Sequence, residues 1–145
     1  AHLIDIDLQA LDFVQQRIDA AGLQSQMHPV NGNLVYLALG RHQLDLPPQH
    51  LMYSIGLIDY FNDHFVLNLL NYCHDNLLPG GKVILGNFHP KNPDKALMDH
   101  ILDWKLIHRT EADMDRLFSA SKFGQPCSEI RFEEEGVNLF AISIR

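Results

Sequence analysis

The sequence predicts an α/β fold built on a mostly parallel sheet, with an antiparallel hairpin at its C-terminal end. Three observations carry this. Short apolar runs alternate with longer stretches in which apolar residues recur at steps of three and four. Turn-forming residues separate the two kinds of segment, most clearly at Asn31-Gly32-Asn33 and Pro79-Gly80-Gly81. The last two apolar runs, residues 129–132 and 139–144, flank a charged, glycine-containing turn and read as antiparallel partners.

Residues 3–5 are a short apolar run closing on acids, the pattern of a buried strand. Leu8, Leu11, Val14, Ile18 and Ala21 then line one face of an amphipathic helix, opposite Gln9, Asp12, Gln15, Gln16 and Asp19. Asp7 is placed to cap its exposed backbone donors and Gly22 to stop it. Residues 26–30 are the next strand candidate, although Pro29 cannot donate to a ladder. Residues 34–39 suit a short helix or an extended segment, and residues 41–49, with Pro47 and Pro48, a loop. Residues 51–54 are a strand, and Gly56 is a flexible break.

Val66, Leu69, Leu70, Cys73 and Leu77 mark the next helix, capped by Asn62 or Asp63. Pro79-Gly80-Gly81 fits a tight turn, because proline fixes φ and glycine accepts a positive one. A strand begins at residues 83–85, and residues 89–93 form a loop. With Asn92 as cap and Pro93 in the first helical position, one helix is expected to carry Leu97, Ile101, Trp104 and His108 on a single face. Thr110 and Asp113 resemble a capping box for a further helix containing Met114, Leu117 and Phe118.

A chain of 145 residues is enough for one domain and buries roughly 68–70% of its unfolded surface. Hydrophobic residues make up 46% and charged residues 20%, which is the globular range. Asp and Glu total 18 against 11 Lys and Arg, and the formal charge of −7 speaks against a general nucleic-acid binder. No apolar run approaches the ~20 residues of a membrane span, and no leader pattern is visible. Cys73 falls on an apolar helix face and forms no CxxC pair with Cys127, so a reducing, cytoplasmic setting is expected. The nine histidines are scattered, without an HxxxH or HExxH pattern, so no metal site is expected.

In open α/β sheets ligands bind beyond the carboxyl ends of the strands. Four such tips stand out. At Ile4-Asp5-Ile6-Asp7, an acid is well placed to accept two ribose hydroxyls of a nucleoside; equally, both acids could simply start the helix. At Asn31-Gly32-Asn33, a side-chain amide suits the edge of an adenine ring, or the three residues are an ordinary turn. At Tyr53-Ser54-Ile55-Gly56-Leu57-Ile58-Asp59-Tyr60-Phe61, a polar residue and then glycine permit close backbone approach, and Asp59 and Tyr60 could face a pocket, or Leu57, Tyr60 and Phe61 could simply pack the next helix. At Asn87-Phe88-His89, Asn87 and His89 could reach a substrate, or His89 could be a solvated loop residue.

Together these tips resemble class I S-adenosylmethionine-dependent methyltransferases. Leu3-Ile4-Asp5-Ile6-Asp7 followed by Ala10-Leu11 is similar to that family's second strand and ribose acid. Leu77-Leu78-Pro79-Gly80-Gly81-Lys82-Val83 is similar to its turn before the fifth strand. The resemblance covers essentially the whole chain. It implies a Rossmann-like three-layer methyltransferase fold lacking its first strand and helix, with residues 1–145 as the C-terminal part of the domain, from the second strand onward. The missing N-terminal part would hold the glycine-rich loop, since no Gly-x-Gly-x-Gly occurs here.

A narrower match runs through Gly56-Leu57-Ile58-Asp59-Tyr60-Phe61, Asn87, Met98 and Asp103-Trp104-Lys105-Leu106-Ile107-His108-Arg109. It resembles a bacterial subgroup of methyltransferases that make 3-hydroxy fatty acid methyl esters, which would make the acceptor a fatty acyl carboxyl group. The resemblance implies S-adenosylmethionine as cofactor, with Asp5, Ile6, Asn33, Ser54 and Gly56 on the cofactor. It implies Asp59, Tyr60, Trp104 and Arg109 on a small-molecule substrate, and His89 and Asn87 as the catalytic candidates. Trp104 could instead pack on the sheet, and Arg109 could sit in a structural ion pair rather than meet a carboxylate. Two rivals keep the same fold: a non-catalytic methyltransferase-like module that binds a ligand or partner, and another nucleotide-binding enzyme such as a dehydrogenase.

Overall fold

The structure, a computed structural model, describes residues 1–145, and its strands and helices have the α/β organisation expected. The chain divides into two compact units, Ala1–Asp45 and Leu46–Arg145. No helix is long and apolar enough to cross a membrane.

The first unit pairs β1 (His2–Asp5) with β2 (His28–Asn31) in parallel, and α1 (Leu8–Ala21) connects them. Asp7 caps α1 as expected, accepting from the N–H groups of Gln9 and Ala10, and Gly22 ends it in the left-handed conformation. Leu11 and Ile18 are the buried residues of its inner face. Proline is tolerated in β2 because of its phase. His28 donates its N–H to the Ala1 carbonyl, so the next residue, Pro29, turns its nitrogen to the open side of the ladder. β2 therefore runs to Asn31, past the expected end of the strand. A short α2 (Leu34–Ala38) follows, capped by the Asn33 side chain, and settles the choice between helix and extended segment.

The second unit is a four-stranded sheet in the order β3 (Gln49–Ser54), β4 (Leu77–Phe88), β6 (Asn138–Ile144), β5 (Glu129–Phe132). β3 and β4 are parallel; β6 is antiparallel to both β4 and β5, giving the C-terminal hairpin expected from the sequence. α3 (Asp63–Asn76), capped by Asn62, and α5 (Glu111–Ala120), opened by the Thr110–Asp113 capping box, pack against each other. Val83, Leu85, Leu139 and Ala141 are buried on the sheet face that these helices cover.

Two expectations are corrected here. Pro79-Gly80-Gly81 does not end one element and start another. It bulges out of the continuous β4, where the β3 register jumps from Gln49↔Leu77 to Leu51↔Lys82, and the Gly80 N–H is taken up by the Arg145 carbonyl. The single helix expected to span Leu97 to His108 is also absent. α4 (Lys95–His100) stops early because Asp103 turns left-handed, with φ 47°, and the Trp104 N–H closes back onto the Met98 carbonyl. Residues 104–109 then run extended, with the Ile107 N–H on the Asp59 carbonyl and the Arg109 N–H on the Phe88 carbonyl. The cap moves too: Asn92 accepts from the Asp94 N–H in a turn ahead of the helix, and Asp94 holds the cap position.

Candidate functional site

Each unit presents one group of candidate residues at the carboxyl ends of its parallel strands. In the first, Asp5 is the last residue of β1 and stands in register with Asn31, the last residue of β2. Asp5 is exposed, and its Oδ1 accepts from the Asp7 N–H at 2.9 Å, while its Oδ2 has no partner within the protein. Ile6 is exposed beside it. Asn31 ties the two tips together by donating from Nδ2 to the carbonyls of Asp5 at 3.3 Å and Ile6 at 3.1 Å. Gly32 leaves little room for a side chain, since a Cβ there would lie 3.0 Å from the Ile4 side chain. Asn33 spends its Oδ1 on capping α2, at 2.9 Å from the Val35 N–H, and its amide NH2 stays unpartnered. The sequence pointed to Asn33; the residue that joins the strand tips is Asn31, whose place inside the same Asn-Gly-Asn triplet was its only signal.

In the second unit, Ser54 ends β3 and Gly56 follows with φ 75°, a left-handed turn that favours glycine. The chain then crosses over β4 at Gly86, where a Cβ would lie 3.0 Å from the Ile55 side chain. A 3₁₀ turn over Ile58–Tyr60 brings Asp59 to the end of β4. Asp59 is 1% exposed; its Oδ1 accepts from the Phe88 N–H at 2.6 Å, and its Oδ2 is buried without a partner. Burial pushes this carboxyl above its ordinary range, against the Phe88 hydrogen bond and the nearby charge of Arg109.

Arg109 is the hub of this tip. It is 2% exposed, and its N–H groups all have acceptors. Nε donates to Asp63 Oδ1, Nη1 to the Ile58 carbonyl and to Asn87 Oδ1 at 2.9 Å each, and Nη2 to the Phe61 carbonyl and Asp63 Oδ1. Asn87 is likewise spent, donating to the carbonyls of Phe88 and Ile107. Burial acts to raise the Asp63 carboxyl, but hydrogen bonds from Arg116 and Arg109 outweigh it and hold the group below the ordinary range. The geometry thus gives Arg109 and Asn87 the work of fixing residues 58–61 against the end of β4. Asp63 entered the sequence reading only as a cap alternative, and Arg116, its other partner, carried no sequence signal.

His89 is buried and engaged at both ring nitrogens. Its Nδ1 accepts from the Lys91 N–H at 3.1 Å, which places the ring proton on Nε2, 3.1 Å from Glu111 Oε2. Tyr60 and Trp104 remain open: Trp104 Nε1 donates to the Tyr60 hydroxyl at 3.0 Å, and Trp104 sets its ring edge-on to Phe88. Among the candidates of this unit, Tyr60 and Trp104 are the exposed side chains, and Ser54 is half-buried, whereas Asp59, Asn87, His89 and Arg109 are buried.

No model of a known protein family matches the chain, and no curated protein sequence does. Solved structures do match. The S-adenosylmethionine-dependent methyltransferase SibL, in its apo form, superposes with a TM-score of 0.73 at 17% identity, over 99% of this chain and 42% of its own. A possible exported protein from Bordetella parapertussis gives a TM-score of 0.78 at 19% identity, over 99% and 52%. RosA, the N,N-8-amino-8-demethyl-D-riboflavin dimethyltransferase of Streptomyces davawensis, gives 0.71 at 16% identity, over 97% and 41%. At these identities the likeness is one of fold, and the fold is that of methyltransferases. The chain spans about half or less of the length of these proteins.

Proposed function

We propose that this chain is the larger, C-terminal part of an S-adenosylmethionine-dependent methyltransferase domain, from the second strand onward, and that its methyl acceptor is a small-molecule carboxylate such as a fatty acyl group. The observation that carries the reading is the Asp5 carboxylate: exposed at the end of a parallel strand, anchored through one oxygen, with the other free. The fit of residues to cofactor is chemical. A carboxylate with an unshared oxygen suits a ribose diol, and the free amide NH2 of Asn33 suits an adenine edge.

When bound, the cofactor's sulfonium supplies a methyl group that is already activated for in-line displacement. The chain's own residues are left with orientation and the exclusion of water. Asp5 and Asn33 would hold the nucleoside end, the first through its free carboxylate oxygen and the second through its amide NH2. His89 favours a carboxylate acceptor for a specific reason. Taking a proton would require its Nδ1 to give up the Lys91 N–H, whereas an ionised carboxylate needs no general base. The missing N-terminal part of the domain would complete the site, which agrees with the 41–52% of each matched structure that this chain spans.

The test is Asp5→Ala in the longer protein. A charge-assisted hydrogen bond contributes about 1.5–3 kcal/mol, so S-adenosylmethionine binding should weaken at least about tenfold in calorimetric titration. An unchanged affinity removes Asp5 from the site. The isolated 145 residues should bind the cofactor far more weakly than the longer protein does.

A further inference from the structure

Tyr60 and Trp104 are linked in one direction only. An indole N–H donates and never accepts, so the Tyr60 hydroxyl oxygen is the acceptor of the 3.0 Å bond and its own proton must point elsewhere. No other protein group hydrogen-bonds that hydroxyl, and both rings reach solvent, with Tyr60 54% and Trp104 42% exposed. The pair is half-exposed and still held from both sides.

Tyr60 is held because its neighbour Asp59 is clamped twice, by the Phe88 N–H on its side chain and the Ile107 N–H on its carbonyl at 2.8 Å. Trp104 is held by its own N–H on the Met98 carbonyl at 2.8 Å and by the edge contact with Phe88, 6.4 Å between centroids. It also follows Asp103, the one non-glycine residue with a positive φ. A non-glycine residue in this left-handed region is uncommon, and such backbone outliers cluster at segments that hold a ligand. The stretch that carries Trp104 exposes Leu97, Ile101, Leu102 and Ile107 as well, an apolar flank beside a polar donor.

We propose that Tyr60 donates its hydroxyl proton to the carboxylate of the acceptor, and that Trp104 is the positioning residue that turns that proton outward. The ligand class is an organic anion with an oxygen acceptor at one end and an apolar body. The choice of a carboxylate rests on the methyltransferase reading; the donor geometry does not.

Trp104 is the single tryptophan of the chain, so its emission and its one indole N–H resonance report on this site without cofactor or turnover. Decanoate is the probe and decylamine the control, because the amine carries the same apolar body without an oxygen acceptor. Decanoate should shift both signals saturably, and decylamine should shift neither to the same extent. Tyr60→Phe should weaken decanoate about tenfold while moving the indole resonance of the free protein, since the N–H loses its acceptor. Trp104→Phe, followed by calorimetry, should weaken decanoate about threefold, the loss expected when the hydroxyl stays but its proton is no longer directed. Silent signals with decanoate, or a Tyr60→Phe variant that binds it as tightly as the parent, would overturn the proposal. Loss of cofactor binding in the longer protein would instead remove the methyltransferase reading and leave this donor pair standing.

Discussion

Asp5 and Asp59 are both acids at the carboxyl end of a parallel strand, Asp5 as the last residue of β1 and Asp59 in the turn that reaches the end of β4, each with an asparagine of a neighbouring strand beside it, yet they have become different kinds of residue. Asp5 is exposed, bonded only to the backbone of its own turn, and keeps an oxygen free. Asp59 is buried, bonded across to the end of β4, and adjoins a guanidinium with no donor to spare. The asparagines differ in the same sense: Asn31 spans two neighbouring carbonyls at the surface, whereas Asn87 joins β4, Arg109 and residue 107 in the interior. A side chain whose bonds are local can serve a ligand without loosening the fold. A side chain whose bonds cross between segments belongs to the fold first.

The sharpest way to break that comparison is to remove the hub. Arg109→Met leaves Asn87 Oδ1 and the carbonyls of Ile58 and Phe61 without their donor in the interior. Leaving a buried acceptor without its donor costs about 1–3 kcal/mol, and several are orphaned at once, so the midpoint in urea should fall clearly. A loss below about 1 kcal/mol, the scale of an exposed pair, would mean the second tip is as loosely built as the first.

Next in size is the pH dependence of Asp59. Burial holds its folded-state carboxyl above the ordinary aspartate value of 3.8, so the folded protein holds this proton more tightly than the unfolded chain. The stability it contributes is complete below 3.8 and is lost as pH rises through the raised folded value. Asp63, held low, runs the other way: its contribution is present above 3.8 and lost as pH falls through its folded value. Asp59→Asn should therefore remove the part of the denaturation profile that declines with rising pH on the acid side. An identical profile in parent and variant would place the Asp59 carboxyl in contact with solvent rather than in the interior.

The contrast between the tips also explains what was legible in the sequence. The caps at Asp7, Asn62 and Thr110 were readable because a cap is a local matter of side-chain type and spacing. The C-terminal strand pair was readable from its two apolar runs. The buried network was not, because Arg109, Asp63 and Asn87 meet only after the chain has folded, 46 and 22 positions apart from the arginine. The apolar spacing of Leu97, Ile101, Trp104 and His108 suggested a helix, but periodicity says nothing of the left-handed Asp103 that ends it. Trp104 owes its place to that break, which is why its link to Tyr60 could not be read from spacing.

The smallest effect is the one that separates ligand binding from folding most cleanly. Asp7 and Asp5 sit two residues apart and both accept backbone N–H groups, so removing either carboxylate loses a local hydrogen bond. Asp7 caps a helix of 14 residues, and Asp7→Ala should cost about 1 kcal/mol of stability. Asp5 holds only the turn that precedes it, so Asp5→Ala should change stability by less than about 0.5 kcal/mol. Thermal denaturation of the two variants side by side measures the difference. If Asp5→Ala were the more damaging of the pair, the free oxygen at the end of β1 would be an accident of packing, and the fold rather than a ligand would have set the residue there.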